Sequence, residues 1–166
     1  MSLKPIKIAA LFGSGIASGG VFYISAFAIP AILSPYNYKA EGQGQAVLPA
    51  KALQTQWQHV YATGKRFFPS LFAGTSALYL YLAYNVPDAR PLYLLAAGCS
   101  MSIVPYTLTV MMPNIRKIQT EIKEEDAQDA LRLRDDVKTW GRLNYGRAVM
   151  QAVAFLAGAW AVVDSS

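Results

Sequence analysis

Uncharged runs long enough to cross a bilayer alternate with polar stretches along this chain. Ile8 to Leu33 holds 26 residues without a charge, Phe67 to Pro87 holds 21 and Pro91 to Ile115 holds 25, while Leu143 to Val163 carries a single charge, Arg147. A hydrocarbon core of about 30 Å needs about 20 helical residues at about 1.5 Å each, so every run is long enough. Spanning strands would alternate in polarity over about 10 residues, which these runs do not do. The pattern predicts an all-α, integral membrane four-helix bundle forming one domain over 1–166, with spans at about 8–33, 67–86, 91–112 and 143–163.

The polar stretches have patterns of their own. Pro30 and Pro35 are expected to end the first helix, because proline lacks an amide hydrogen and disfavours helix in the residue before it. A Gly-, Gln- and Tyr-rich loop follows from Tyr36 to Val47. From about Pro49 an amphipathic helix puts Leu53, Trp57, Val60, Gly64 and Phe67 on one face and runs into the second span, bent at Pro69. The turn Asn85-Val86-Pro87-Asp88 is short enough to make spans two and three antiparallel neighbours. Span three should end near Met112-Pro113-Asn114. The stretch from Arg116 to Lys138 mixes acids and bases one helical turn apart, such as Lys117 with Glu121 and Arg132 with Asp136, and reads as a charged helical hairpin.

Small residues mark the first span as a packing helix. Gly15 and Gly19 form a GxxxG, and Ala9, Gly13 and Ala17 recur every four residues, allowing the close backbone approach by which helices associate in lipid. The glycines echo a dinucleotide fingerprint, but no strand precedes them to complete that motif. Lys4 and Lys7 before an apolar core and Ala26-Phe27-Ala28 imitate a signal peptide. That core is far longer than a leader's usual one and reads as an uncleaved first span.

Composition supports the membrane reading, with 54% hydrophobic and 15% charged residues. The net charge of +5 does not point to nucleic acid, because its distribution is topological. With consecutive spans, Lys4, Lys7 and Arg90 share one side, and the loops 34–66 and 116–142 put eleven Lys and Arg on the other. The bias places both long loops in the cytosol, with the protein in the endoplasmic reticulum or another internal membrane. The single cysteine, Cys99, allows no intramolecular disulfide and reads as a packing residue. One histidine, one cysteine and a run of salt-bridged acids supply no metal-ligand set, so no metal is expected.

The fourth apolar helix carries the most informative stripe. Leu133, Val137, Trp140, Asn144 and Arg147 recur at spacings of four, three, four and three, so one face turns from aliphatic to indole, amide and guanidinium as it enters the bilayer. An intramembrane arginine costs roughly 2.5–3.5 kcal/mol at the bilayer centre, less near an end, unless it snorkels or holds an anion. Alignment with Asn144 favours the inward, anion-holding role. His59, the only histidine, lies with Thr55, Gln56, Thr63 and Arg66, off the apolar face of its helix. If it points into the mouth of the bundle, it alone has an unperturbed pKa suited to proton transfer near neutrality.

Pro105-Tyr106-Thr107, Met111-Met112-Pro113-Asn114 and the run Trp140-Gly141-Arg142-Leu143-Asn144-Tyr145-Gly146-Arg147, with Trp57, Tyr61 and Gly64 upstream, resemble the fungal anthrone oxygenase family. The resemblance covers nearly the whole chain in length, span order and loop sizes; its specific part is the W-G-R-L-N-Y-x-R run. It implies oxidation of a polyketide anthrone at its central methylene by dioxygen as co-substrate, with no added flavin, haem or nicotinamide. The partners expected are a small aromatic polyketide and the lipid bilayer, with no nucleic acid and with a homo-oligomer left open. Under it, His59 accepts the proton, and Arg147 and Asn144 stabilise the oxyanion. Trp57, Tyr61, Trp140 and Asn114 then bind the flat rings. The competing reading is a non-catalytic four-helix membrane scaffold whose charged hairpin binds a partner. A transporter, or an isomerase on the same scaffold, is a more distant alternative.

Overall fold

The computed structural model describes residues 2–34, 50–120 and 127–164. The loop expected at Tyr36 to Val47 and the turn of the charged stretch, with Glu121, Glu124, Glu125 and Asp126, lie outside the described residues. The described residues are helical throughout, apart from short ends and turns. Helix α1 is Lys4–Tyr23, followed by a π-turn at Ile24–Ala28 and a short α2 at Ile29–Leu33. Then come α3 at Ala50–Asn85 and α4 at Arg90–Tyr106. A second π-turn at Thr107–Met111 leads into α5 at Met112–Gln119, and α6 closes the chain at Ala127–Asp164.

Helix α1 packs on α3 and α6, and α4 packs on the same two helices. The expected tight turn between α3 and α4 is present. The Arg90 amide donates to the Pro87 carbonyl at 3.2 Å, and its side-chain Nε donates back to Ala83 at 3.1 Å, holding the two helices antiparallel.

One expectation is corrected: Pro30 does not end the first helix, which continues to Leu33, while Pro35 lies outside the described residues. Helix likewise runs through Pro113 to Gln119, past the end expected for span three. A proline removes one amide donor and crowds the carbonyl four residues back. Here Pro30 and Pro113 each sit two residues after a π-turn, whose wider ring relieves that crowding, so the chain passes through. The two arms of the charged stretch are the outer ends of α5 and α6, which pack on each other. Along it Arg132 pairs back to Asp129 at 3.5 Å rather than forward to Asp136.

The seam on α1 also differs from the expected one. Ala10, Ser14, Ala17 and Val21 are its buried positions, while Ala9 is exposed and nothing crowds Gly19. Gly13 and Gly20 instead make room for Thr75 and Phe68 of α3, and Gly15 for Phe155 of α6.

Away from the long loops, polar side chains are buried among small and apolar ones while large apolar side chains face outward. Ser14, Thr75, Ser76, Ser100 and Gln151 are fully buried, whereas Phe12, Leu156 and Trp160 are each more than 60% exposed. Buried hydroxyls tie helices together: Ser14 shares a 2.7 Å hydrogen bond with Tyr79, and Ser76 donates to the Ala97 carbonyl at 3.1 Å. Such an arrangement suits a lipid exterior, where small residues and interhelical hydrogen bonds hold helices together. Lys4–Leu33, Arg90–Gln119 and Gln128–Asp164 are each long and apolar enough to cross a membrane.

Gly158 gives this packing a sharp test. A Cβ there would fall onto the phenol of fully buried Tyr79. Gly158→Ala is expected to displace that ring, break its bond to Ser14 and lower stability by about 1–3 kcal/mol, the usual cost of overpacking. The midpoint of thermal unfolding in detergent checks it.

Candidate functional site

The inward stripe of α6 is buried as its spacing implies. Leu133, Val137, Trp140 and Asn144 are each under 5% exposed, and Arg147 is half-buried. One turn after the aliphatic positions, this stripe reaches a cleft of about 220 Å³ between α3, α4 and the π-turn that follows it. Val21, Ile24, Phe72, Ile103, Trp140, Asn144 and Arg147 form its inner surface, and Val60, Tyr61, Gly64 and Phe68 form one wall. Phe68 and Phe72 stack at 5.7 Å, and the Arg147 guanidinium carbon sits 5.7 Å from the centre of the Phe72 ring, within cation–π range.

Arg147 is held from one side only. Its Nη1 donates to the Asn144 side-chain oxygen at 3.1 Å, while its buried Nε has no hydrogen-bond partner. Among the described residues no carboxylate lines the cleft. A buried donor without an acceptor is costly, so this guanidinium is poised for an anion or a developing oxyanion. Asn144 is the bracket. Its amide nitrogen donates to the Val21 carbonyl at 3.2 Å and to the Ser25 hydroxyl at 2.9 Å. The Ser25 hydroxyl in turn donates to Val21 at 3.2 Å. Both amide hydrogens are thereby used, so Asn144 orients Arg147 rather than donating to a bound molecule. The acceptors it uses sit at and just before the first π-turn, where the helix ladder is loosened.

Of the seven residues singled out in the sequence, the structure brings Arg147, Asn144, Trp140 and Tyr61 together at the cleft and leaves three out of it. His59 is exposed and absent from the lining, so the expected meeting of imidazole and guanidinium does not occur. Trp57 is fully buried one layer behind, stacked on Tyr61 at 5.0 Å and edge-on to Trp140 at 5.7 Å. Asn114 is buried too, donating to the Asp136 carbonyl at 3.2 Å and so tying α5 to α6. Because His59 is exposed, His59→Ala is expected to change stability by no more than about 0.5 kcal/mol, as surface substitutions usually do. The unfolding midpoint of the variant in detergent tests this.

Residues that periodicity did not flag also line the cleft: Lys65, Phe68, Phe72 and Thr107. Sequence spacing placed Phe67 inward, but Phe67 is 53% exposed and Phe68 is buried. The inward face of α3 rotates along its length. Leu53 and Trp57 pack with α5 and α6 residues, whereas Phe68 and Phe72 pack with Ala17 and Val21 of α1. Among the described residues no three His, Cys, Asp or Glu gather in a group that could hold a metal ion.

The family model for anthrone oxygenases matches residues 57–157, which takes in Trp57, Tyr61, Lys65 and the whole polar stripe of α6. Over 124 residues the chain is 36% identical to the anthrone oxygenase encC of Aspergillus fumigatus, covering 73% of this chain and 65% of that protein. It is 29% identical over 112 residues to the anthrone oxygenase nsrD of Aspergillus novofumigatus, and 28% identical over 110 residues to an anthrone oxygenase of Claviceps purpurea. In each of the three, the matched region spans less than two thirds of the relative's length. No solved structure matches the chain.

Proposed function

This chain belongs to the anthrone oxygenase family, and we propose that it oxidises the central methylene of a polyketide anthrone to a carbonyl, using dioxygen as co-substrate and no organic cofactor. The observation that carries the reading is the Arg147 guanidinium, set at the inner end of an apolar cleft with its Nε–H unpaired.

An anthrone methylene is acidic because its carbanion is an aromatic anthrolate, with the negative charge on the oxygen opposite. Arg147, braced by Asn144, donates to that oxygen as the charge develops; inside a low-dielectric cleft such a donor is strongest. Trp140, Phe68 and Phe72 pack the ring faces. Among the lining residues no carboxylate or imidazole stands ready to take the proton, so it passes to water at the edge of the cleft marked by exposed Lys65. The anthrolate passes one electron to dioxygen, and superoxide and the ring radical combine through a new C–O bond. Protonation gives a hydroperoxide. Loss of water then removes the second methylene hydrogen and breaks the O–O bond, leaving the quinone carbonyl. One dioxygen is consumed and one water released per quinone.

The same reading places the chain in an internal membrane as a four-span bundle with its long loops in the cytosol. The inner half of α3 is the fourth span, although Pro69, Ser70, Thr75, Ser76 and its tyrosines dilute its hydropathy. It leads through a four-residue turn into antiparallel α4 and packs along it, so it crosses wherever α4 crosses. Helices of 36 and 38 residues exceed the bilayer core at about 1.5 Å per residue, so the amphipathic start of α3 and the charged start of α6 project from the membrane.

Oxygen uptake by the purified full chain in detergent, with an anthrone and after subtraction of autoxidation, tests the reaction. One dioxygen per quinone at a rate proportional to protein is expected. Uptake no faster than the protein-free control overturns it.

A further inference from the structure

We propose that the cleft is loaded sideways from the bilayer, through a slot between α3 and the α4 end that runs into the second π-turn, and that the slot admits a planar, membrane-dissolved phenolic polyketide. The inference rests on the membrane and anthrone readings above and adds the route by which the substrate arrives.

The exposure of the lining residues locates the opening. Those supplied by α1 and α6 are buried or half-buried. The exposed ones are Lys65 and Pro69 on α3, and Val104 and Leu108 on the other side. The way out therefore passes between two neighbouring helices rather than along the bundle axis. Around it the outer surface mixes exposed Phe67 at 53%, Met101 at 43%, Leu108 at 59% and Val110 at 44% with exposed Lys65, Arg66, Ser70 and Thr109. Such a mixture suits the edge of the acyl region beside the headgroups, where basic side chains reach back to water.

The backbone explains why the two helices part here. Farther along, Ser76 reaches the Ala97 carbonyl at 3.1 Å and the helices lie close. At the slot, each helix carries an interior proline, Pro69 and Pro105, and the second passes directly into the π-turn. Each proline removes an amide donor and bends its helix. A gap results at the level of Arg147.

The lining selects the occupant. Both edges of the slot are apolar apart from Lys65 and Thr107, and the one cation at the inner end is Arg147. A molecule crossing lipid must arrive uncharged, and one that stays must offer an oxygen to the guanidinium. A flat phenolic ketone meets both conditions, whereas a nucleotide is charged and a free sugar is too polar to dissolve in the acyl region.

Two measurements test the route on the full chain in phosphatidylcholine vesicles. A nitroxide at Leu108→Cys, in a Cys99→Ala background, should be relaxed by dioxygen and not by a water-soluble nickel chelate. It should also lose mobility when an anthraquinone is added. Relaxation by the chelate, or indifference to the quinone, overturns the slot. In kinetics, Leu108→Trp should raise KM for an anthrone by about tenfold, equivalent to about 1.4 kcal/mol, and affect KM more than kcat. Leu94→Trp, on the outer face of α4 away from the lining, should change neither. Equal effects of the two tryptophans count against the slot. Absent turnover in the wild-type chain would sink the reaction, while the spin label would still decide the route.

Discussion

On the proposed anthrone oxidation, Arg147→Met is expected to lower turnover by about 10²–10³-fold while the protein stays folded. That factor is what removal of one oxyanion-stabilising donor usually costs. Methionine keeps an apolar stem but removes every donor and the guanidinium that lies over Phe72. The main structural penalty falls on the Asn144 oxygen, which loses its 3.1 Å partner, at about 1–3 kcal/mol for a buried acceptor. Arg147→Lys should fall between the two, since lysine restores a charge without the planar fork that Asn144 grips. Dioxygen uptake, corrected for autoxidation, gives the rates, and thermal unfolding shows that the fold persists. A methionine variant turning over like wild type would remove the guanidinium from the reaction.

Trp57→Ala is expected to cost about 3–5 kcal/mol of stability, the range for deleting a buried aromatic side chain. Trp57 is fully buried, with Tyr61 stacked on one face and Trp140 set against it edge-on. It supports the cleft from behind without lining it. Trp57→Phe should therefore retain most of the lost stability and leave KM near that of wild type. The unfolding midpoint in detergent and steady-state kinetics separate the two roles. A variant that unfolds like wild type yet binds substrate poorly would put Trp57 back in the binding surface.

The apolar runs announced helices because a segment solvated by lipid must satisfy its backbone internally, and only helices match the length and uniform polarity seen. The stripe from Leu133 to Arg147 was legible for a related reason. Within one straight helix, spacings of three and four keep residues on one face, and α6 has no interior proline or π-turn up to Arg147. On α3 the same reasoning placed Phe67 where Phe68 belongs, because the helix changes neighbours midway and its buried face turns with them. His59 was misplaced by the chemistry it offers, since its position off the apolar stripe was already visible. Nor could sequence show that Asn144 spends both amide hydrogens on α1 and the π-turn after it. That depends on Val21 and Ser25, more than 100 positions away.

The two π-turns also bear on how this chain should be compared with its relatives. A five-residue reach accommodates one residue more than the α-helical repeat, so each turn shifts the angular phase of everything beyond it by about 100°. Losing one residue near Ile24–Ala28 or Thr107–Met111 would restore ordinary winding and leave Pro30 or Pro113 on its present side. Related chains that lack either turn should therefore carry a one-residue gap at that place, with the pattern of large and small side chains downstream unchanged.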